Sequence, residues 1–300
     1  MTRRKTLKEL TIKDNFMFGA VMCYEANCRR MLELVLGFPI AHVKVSKEKS
    51  MIYHPEYKGI RLDVYARDDE NTHYNVEMQA VRQMALGKRS RYYHSQIDME
   101  LLTSGAEYPE LPNTYVIFIC DFDPFGERKY KYTFQNMCME SPMVSLADGS
   151  KTIFLNTKGK NSEDLSSELL NFLKYVGADL EESTADFGDS YVAQLQETVS
   201  DIKHSRRMEE RYMLTELLMQ DERRAGRIEG RIAGRIEGRI EGRIEQICKK
   251  LRKGKSLETV AEELEEDIES MRPLYELALK FAPDFDETAV IEMWTRTGPQ

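Results

Sequence analysis

Residues 60–80 read IRLDVYARDDENTHYNVEMQA. Apolar and polar residues alternate over residues 60–66 and again over residues 74–80. Both runs are rich in β-branched or aromatic side chains, which is typical of strands. The polar cluster at residues 68–71 predicts the turn that joins them. The stretch therefore predicts a two-stranded β-hairpin.

Two acids occupy matching places in this hairpin, Asp63 in its first strand and Glu77 in its second. Consecutive strands of a hairpin are normally neighbours, and a turn centred on residue 70 sets Asp63 opposite Glu77. Two carboxylates that face each other repel and destabilise the hairpin without a cation. Since apolar residues flank both acids, the pattern favours a hard divalent ion such as Mg²⁺, which binds a few carboxylates, water and phosphate oxygens. Such an ion lowers the pKa of bound water and stabilises charge on a phosphate.

Gln79 stands two residues after Glu77 and points to the same face of its strand. A glutamine there can orient water or contact phosphate, but it cannot act as a base at neutral pH. The spacing of the three residues is a weak signal by itself, and solvated acids on the outer face of a sheet are the alternative.

The elements predicted around the hairpin form an α/β core. A helix over residues 14–36 comes first, with Asp14 as its cap. The remaining elements are, in order, a strand at 43–53 with turns at 54–55 and 58–59, the hairpin, a helix at 88–104, a strand at 114–120 and two further strands at 130–134 and 152–155. The nearly continuous apolar run at 114–120 is typical of a strand that is buried on both faces.

From residue 161 onward the predicted elements are helical, at 162–175, 190–224 and 247–281. The last of these is interrupted at Gly254, and Ser256 with Thr259 begins a new helix. Residues 256–270 have the apolar spacing of a helix-turn-helix, but they carry seven acids and no base. Since a recognition helix must approach phosphates, this segment favours a protein-interaction module over a DNA reader.

Residues 225–245 repeat with a period of four, with Gly at 226, 230, 234, 238 and 242, followed by Arg and Ile. An isoleucine stripe of this period drifts by about 40° per repeat around a helix. The glycines cost such a helix roughly 0.5–1 kcal/mol each. The pattern therefore favours a marginal helix that pairs with its copy in another subunit, with a plain spacer as the alternative.

Composition limits the class of protein. Residues 1–160 have a net charge of +3 and residues 161–300 of −11, so only the first half is suited to nucleic acid. The five cysteines lack the spacing of a zinc site. Neither an apolar leader nor a stretch long enough for a membrane span appears. We expect a cytoplasmic protein with reduced cysteines, no membrane contact and no small-molecule cofactor.

Several blocks resemble, in order, the Rpn family of recombination-promoting nucleases and transposase-like proteins, which belongs to the PD-(D/E)xK nuclease superfamily. The resemblance covers roughly residues 8–155, and its blocks are DNFMF at 14–18, RLDV at 61–64, NVEMQ at 75–79 and KRSRYY at 88–93. It implies a restriction-endonuclease-like core (helix, three-strand meander, helix, strand) followed by an all-helical C-terminal region. It also implies metal-dependent DNA cleavage linked to recombination or mobile elements, with Mg²⁺ or Mn²⁺ as cofactor.

In this resemblance Asp63 and Glu77 are the metal carboxylates, and the backbone carbonyl of Met78 is an additional ligand. Asp14 is a further candidate ligand, with a plain helix cap as its alternative. Two departures stand out: no proline precedes Asp63, and Gln79 replaces the usual lysine. The replacement removes a positive charge that would help the attacking water.

Other candidate residues follow the hairpin. A basic cluster is expected to contact the DNA backbone, or else to form a solvated helix face; its members are Arg82, Lys88, Arg89 and Arg91. Tyr93 and Gln96 are expected to line the cleft or to pack in the core.

The sequence thus predicts four segments: a nuclease-like domain at 1–160, a helical region at 161–224, a helical connector at 225–246 and a C-terminal helical unit at 247–300. The predicted function is a Mg²⁺-dependent DNA endonuclease that self-associates through its helical tail. A binding or regulatory protein that retains the fold without catalysis, and an RNA nuclease, are the alternatives.

Overall fold

The computed structural model describes residues 5–51 and 60–297. The predicted turns at 54–55 and 58–59, and the last two residues of the strand expected at 43–53, lie outside the described residues. The six strands are β1 (Val43–Met51), β2 (Ile60–Asp68), β3 (His73–Gln79), β4 (Thr114–Cys120), β5 (Lys131–Phe134) and β6 (Ser150–Asn156). The helices are α1 (Asn15–Met22), α2 (Glu25–Leu36), α3 (Leu86–Leu101), α4 (Ser167–Gly177), α5 (Ser190–His204), α6 (Arg206–Leu251), α7 (Leu257–Leu264), α8 (Ile268–Leu279) and α9 (Glu287–Thr297).

The strands form one mixed sheet in the order β1-β2-β3-β4-β6-β5. β3, β4 and β6 are parallel to one another, and the remaining neighbouring pairs are antiparallel. β1 and β5 stand at the two ends of the order and are therefore the edge strands. The predicted hairpin is confirmed: Val64 pairs with Val76 and Arg67 with His73, which is the register centred on residue 70. The pairing ends at Val64 and Val76, which are the neighbours of Asp63 and Glu77.

Helices cover both faces of the sheet. One face packs against α1, α2, α4 and α5 in the largest core cluster. The other face packs against α3, whose Tyr93 and Ile97 lie among Val116, Phe118 and Leu62 of the strands. Because β3 lies in the middle of the sheet, all seven of its residues are buried. This α/β core with a helical C-terminal region confirms the predicted fold class.

The helix predicted at 14–36 is two helices. Tyr24 has an extended backbone and separates α1 from α2. The interruption lets the Asn27 side-chain amide donate to the Val21 carbonyl at the end of α1 (3.3 Å), which also accepts from the Tyr24 amide. Apolar periodicity runs through both helices and does not register this polar contact.

Two other predicted helix bounds were wrong. The helix expected from residue 162 begins at Ser167, because the Ser166 hydroxyl accepts from the Leu169 amide and caps it (3.2 Å). The helix expected at 190–224 is broken at Ser205, which has an extended backbone. Its second part belongs to α6, which continues through the whole glycine repeat.

The chain forms two compact units, Met1–Met213 and Leu214–Gln300. In the second unit, the end of α6 packs with α7, α8 and α9 around a core that includes Ile244, Leu251 and Val260. The predicted start at Ser256 is confirmed, since its hydroxyl accepts from the Thr259 amide (3.4 Å). The division into four segments remains a prediction.

Candidate active site

Each acid of the hairpin accepts a hydrogen bond from the backbone of the opposite strand. The Asp63 amide donates to Glu77 Oε1 at 3.3 Å, and the Met78 amide donates to Asp63 Oδ2 at 3.2 Å. Each carboxylate therefore lies beside the strand that carries the other. Asp63 is half-buried and Glu77 is 0% exposed, so the solvated outer-face alternative does not describe Glu77.

Burial and charge act together on Glu77. Burial and then the nearby Asp63 carboxylate raise the pKa of Glu77, Arg89 opposes both, and the pKa lies at about 8. At neutral pH the pair therefore holds less than its full negative charge. A cation placed between the two carboxylates would favour the fully ionised pair.

Arg89 provides the positive charge at this site. Its guanidinium donates to Glu77 Oε2 (2.5 Å), Gln79 Oε1 (3.2 Å) and Gln83 Oε1 (2.9 Å). Its Nε donates to the Tyr93 hydroxyl at 2.6 Å. The side chain thus turns inward from α3, which differs from the expectation that it lies with the other basic residues on a DNA-facing surface.

Gln79 and Tyr93 complete the wall around Glu77. Gln79 is 4% exposed and points to the same face as Glu77, as its spacing predicts. The Tyr93 hydroxyl lies 3.4 Å from Glu77 Oε2, and the Arg89 guanidinium lies 5.0 Å from the centre of the Tyr93 ring. Gln96 is buried one turn further along α3.

The other candidates lie apart from this contact set. Asp14 precedes α1, but its side chain makes no cap hydrogen bond. Instead it accepts from Lys5 Nζ (2.7 Å) and from the Thr11 amide (2.8 Å), so the simple cap interpretation of Asp14 is corrected. Arg82, Lys88 and Arg91 are exposed.

The residues present suit a hard divalent ion. Across the described ranges, no group of three or more His, Cys, Asp or Glu is placed to hold a metal. Mg²⁺, however, is commonly bound by one or two carboxylates together with water and phosphate oxygens. Asp63 and Glu77 supply that number, and an ion there would offset the burial and the repulsion by Asp63 that raise the pKa of Glu77.

The role of Arg89 was missed in the sequence, although a signal for it exists. Arg89, Tyr93 and Ile97 recur at a spacing of four, which places them on one side of a helix. Tyr93 and Ile97 are buried against the sheet. A basic residue that shares their helix side is carried toward the strands and not toward solvent.

The family model described as "PD-(D/E)XK nuclease family transposase" matches residues 16–226, which is more than two thirds of the chain. The match confirms the resemblance carried by the sequence blocks. No curated protein and no solved structure matches the chain. No helix in the described parts of the chain combines the length and apolar composition that a membrane crossing needs.

Proposed function

The chain belongs to the PD-(D/E)XK nuclease family, and from this premise we propose that it is a metal-dependent endonuclease that hydrolyses phosphodiester bonds of DNA. The observation that carries the proposal is the contact between Asp63 and Glu77 across the hairpin, with Glu77 fully buried. Buried facing acids are costly in a sheet unless they serve a charged ligand.

Each residue at this site has a separate proposed role. Asp63, Glu77 and the backbone carbonyl of Met78 would hold the ion. A bound Mg²⁺ or Mn²⁺ supplies a water of lowered pKa and positive charge for the phosphate. Gln79 orients water or phosphate through its amide. Arg89 restores the positive charge that Gln79 lacks, and its planar donors suit phosphate oxygens.

The exposed basic residues support DNA as the partner. Arg82 lies just after β3, and Lys88 and Arg91 lie on the first turns of α3, close in sequence to the acid pair. Lys and Arg side chains in such a place neutralise phosphates without reading sequence. In the described part of the chain all five cysteines are free, which is expected in a reducing compartment such as the cytoplasm. A role in recombination or mobile elements belongs to the same proposal.

We also propose that the second unit joins two copies of the chain. Ile228, Ile232 and Ile236 of α6 are 52%, 55% and 55% exposed. Every residue from 221 to 239 is exposed, so tertiary packing within the chain gives this part of the helix little support. Another helix lying along the isoleucines would provide it.

A binding protein without catalysis is the second candidate. It is favoured by Arg89, which already neutralises Glu77 at 2.5 Å, and by the absence of the usual lysine at residue 79. An Arg that holds the acid too tightly would keep the fold and prevent metal entry. RNA cleavage is the third candidate, because the same phosphate chemistry serves both sugars.

A cleavage assay separates these functions. Supercoiled plasmid and single-stranded RNA are incubated with the protein in Mg²⁺, in Mn²⁺ and in EDTA, beside Asp63→Ala and Glu77→Ala. Asp69→Ala is the matched control, because Asp69 is an exposed acid in the same hairpin. We expect plasmid cleavage that needs metal and is lost only in the first two variants. Cleavage that survives both would refute the site, and folded protein without any metal-dependent cleavage would favour the binding function.

A further inference from the structure

The side-chain amide of Asn75 is buried and makes no hydrogen bond. Asn75 lies in β3 two residues before Glu77, so the two side chains share a face of the sheet. Its side chain is 0% exposed, and neither Oδ1 nor Nδ2 has a partner. Within the described ranges, no other buried side-chain nitrogen or oxygen lacks one. Buried amides are nearly always paired, since leaving one unpaired costs stability.

The neighbours of Asn75 on the same face of β3 are His73 and Glu77. The register partners of Asn75 are Tyr65 on β2 and Val116 on β4. The Tyr65 hydroxyl is already bonded to His73 Nδ1, at 2.5 Å. Glu77 lies two residues further along β3 on the same face, and no hydrogen bond joins its carboxylate to the Asn75 side-chain amide.

Without a metal ion, the Glu77 carboxylate is bonded to groups other than Asn75. Its Oε1 accepts from the Asp63 amide and its Oε2 from Arg89. Arg89 has three further partners in Gln79, Gln83 and Tyr93, so it can leave Glu77 and stay anchored in the site. A carboxylate released from Arg89 to bind an ion needs a new hydrogen bond to hold its orientation.

We propose that Asn75 is a positioning residue for Glu77, whose side-chain amide donates to the Glu77 carboxylate when a divalent cation replaces the Arg89 guanidinium. This inference rests on the proposed metal-dependent function. It explains why an unpaired amide is retained in the interior: its partner is present only in the loaded site.

The test measures Mn²⁺ affinity of the full-length protein by titration calorimetry, together with the thermal midpoint of the metal-free protein. Asn75→Leu removes the amide with little change in size, and Asn75→Asp keeps an oxygen but removes the donor. Thr152→Val is the control, because Thr152 is a buried residue on the α3 side of the sheet that bonds His94 and not the acids.

We expect both Asn75 variants to weaken Mn²⁺ binding roughly tenfold, as loss of an orienting partner does. We expect the midpoint of Asn75→Leu to stay or rise, because an unpaired polar group is replaced by apolar atoms. If Asn75 had only a structural role, Asn75→Leu would bind Mn²⁺ as the wild type does and would have a lower thermal midpoint. Thr152→Val should bind Mn²⁺ as the wild type does.

Three results would overturn the inference: wild-type affinity in Asn75→Leu, an equal loss in Thr152→Val, or unimpaired binding in Asn75→Asp, which would make Asn75 a ligand through its oxygen. Asp63→Ala distinguishes a failure of the positioning role of Asn75 from a failure of the proposed metal site. If Asp63→Ala loses Mn²⁺ and Asn75→Leu does not, the positioning role alone fails. If the wild type binds no Mn²⁺, the proposed function fails and this inference fails with it.

Discussion

The pKa of Glu77 connects the site to the stability of the protein. In the folded protein burial and Asp63 raise that pKa to about 8, from an ordinary value of 4.5. Between these values the folded state holds a proton that the unfolded chain has released, so the free energy of unfolding falls as pH rises. We expect metal-free Glu77→Gln to lose this fall, whose slope is at most about 1.4 kcal/mol per pH unit.

Urea unfolding at several pH values between about 5 and about 8 measures this slope. The control is Glu70→Gln, which removes an exposed acid from the hairpin turn and should leave the slope unchanged. An unchanged slope in Glu77→Gln would mean that another group titrates in this range.

Arg89 and Arg91 form a matched pair for a second prediction, because both lie on α3 and only Arg89 contacts Glu77. Arg89→Met leaves a buried carboxylate without its counter-charge. Since the Arg89 side chain is 30% exposed, the expected loss of unfolding free energy at about pH 8.5 is roughly 1–3 kcal/mol, below that of a fully buried pair. Arg91→Met should change it by less than about 0.5 kcal/mol. Equal losses in urea unfolding would contradict the assigned contact.

Sequence reasoning at this scale located the acids but not their surroundings. Asp63 and Glu77 follow from alternation and a symmetric turn, both of which are local. The position of Arg89 depends on where α3 begins, and it begins at Leu86, after Ala85 in a left-handed conformation (φ 60°). The missing partner of Asn75 depends on groups from three strands, so no local pattern contains it.

At the scale of elements, we predict how replacing glycines of α6 with alanine changes the stability of that helix. Apart from the neighbouring backbone of α6 itself, a Cβ at Gly230 or Gly234 would meet no atom of the described residues within 4 Å. We therefore expect alanine at each position to stabilise the helix by about 0.5–1 kcal/mol, measured by hydrogen exchange of its amides. Gly37→Ala is the contrasting variant, since Gly37 ends α2 at φ 81° and alanine there should destabilise. Destabilisation at Gly230 would instead indicate that another chain approaches its backbone.

Strands were predicted more accurately than helix ends. The hairpin and β4 have their own signatures, alternation in one and an unbroken apolar run in the other. The ends of α1, α4 and α5 depend on single polar contacts or single extended residues, such as the Ser166 cap. Apolar periodicity averages over such residues, so the sequence predicted α1 and α2 as one helix, and α5 and the start of α6 as another.

For the whole molecule, the prediction concerns self-association. Replacing Ile228, Ile232 and Ile236 with glutamine keeps the helix-forming tendency and removes the exposed apolar stripe. We expect the variant to have the mass of a single chain by light scattering after gel filtration, where the wild type has a larger mass. Ile268→Gln is the control, because Ile268 is a partly exposed isoleucine (38%) on α8 outside the stripe. A wild type that is itself monomeric would refute the proposal.

In the folded second unit, acids of residues 256–270 are paired with bases that are distant in the sequence. The acids of 256–270 have no base among themselves, but α6 and the turn after it supply bases. Lys250 and Lys255 bond Glu263, and Arg243 bonds Glu266. Part of the acidic excess is therefore internal to this unit. A count along the sequence sees only neighbours in the chain and overstates the charge that a partner would meet.

The two edges of the sheet bear on how the protein behaves when it is concentrated. An open edge strand offers free backbone groups to which a strand of another molecule can add, and this is a common route to aggregation. β5 is only four residues long, and β1 carries Lys44 and Lys49, charged side chains that disfavour such addition. The sheet is thus poorly suited to grow by strand addition, and we expect preparations at the concentrations that calorimetry and light scattering need to form no fibrous precipitate.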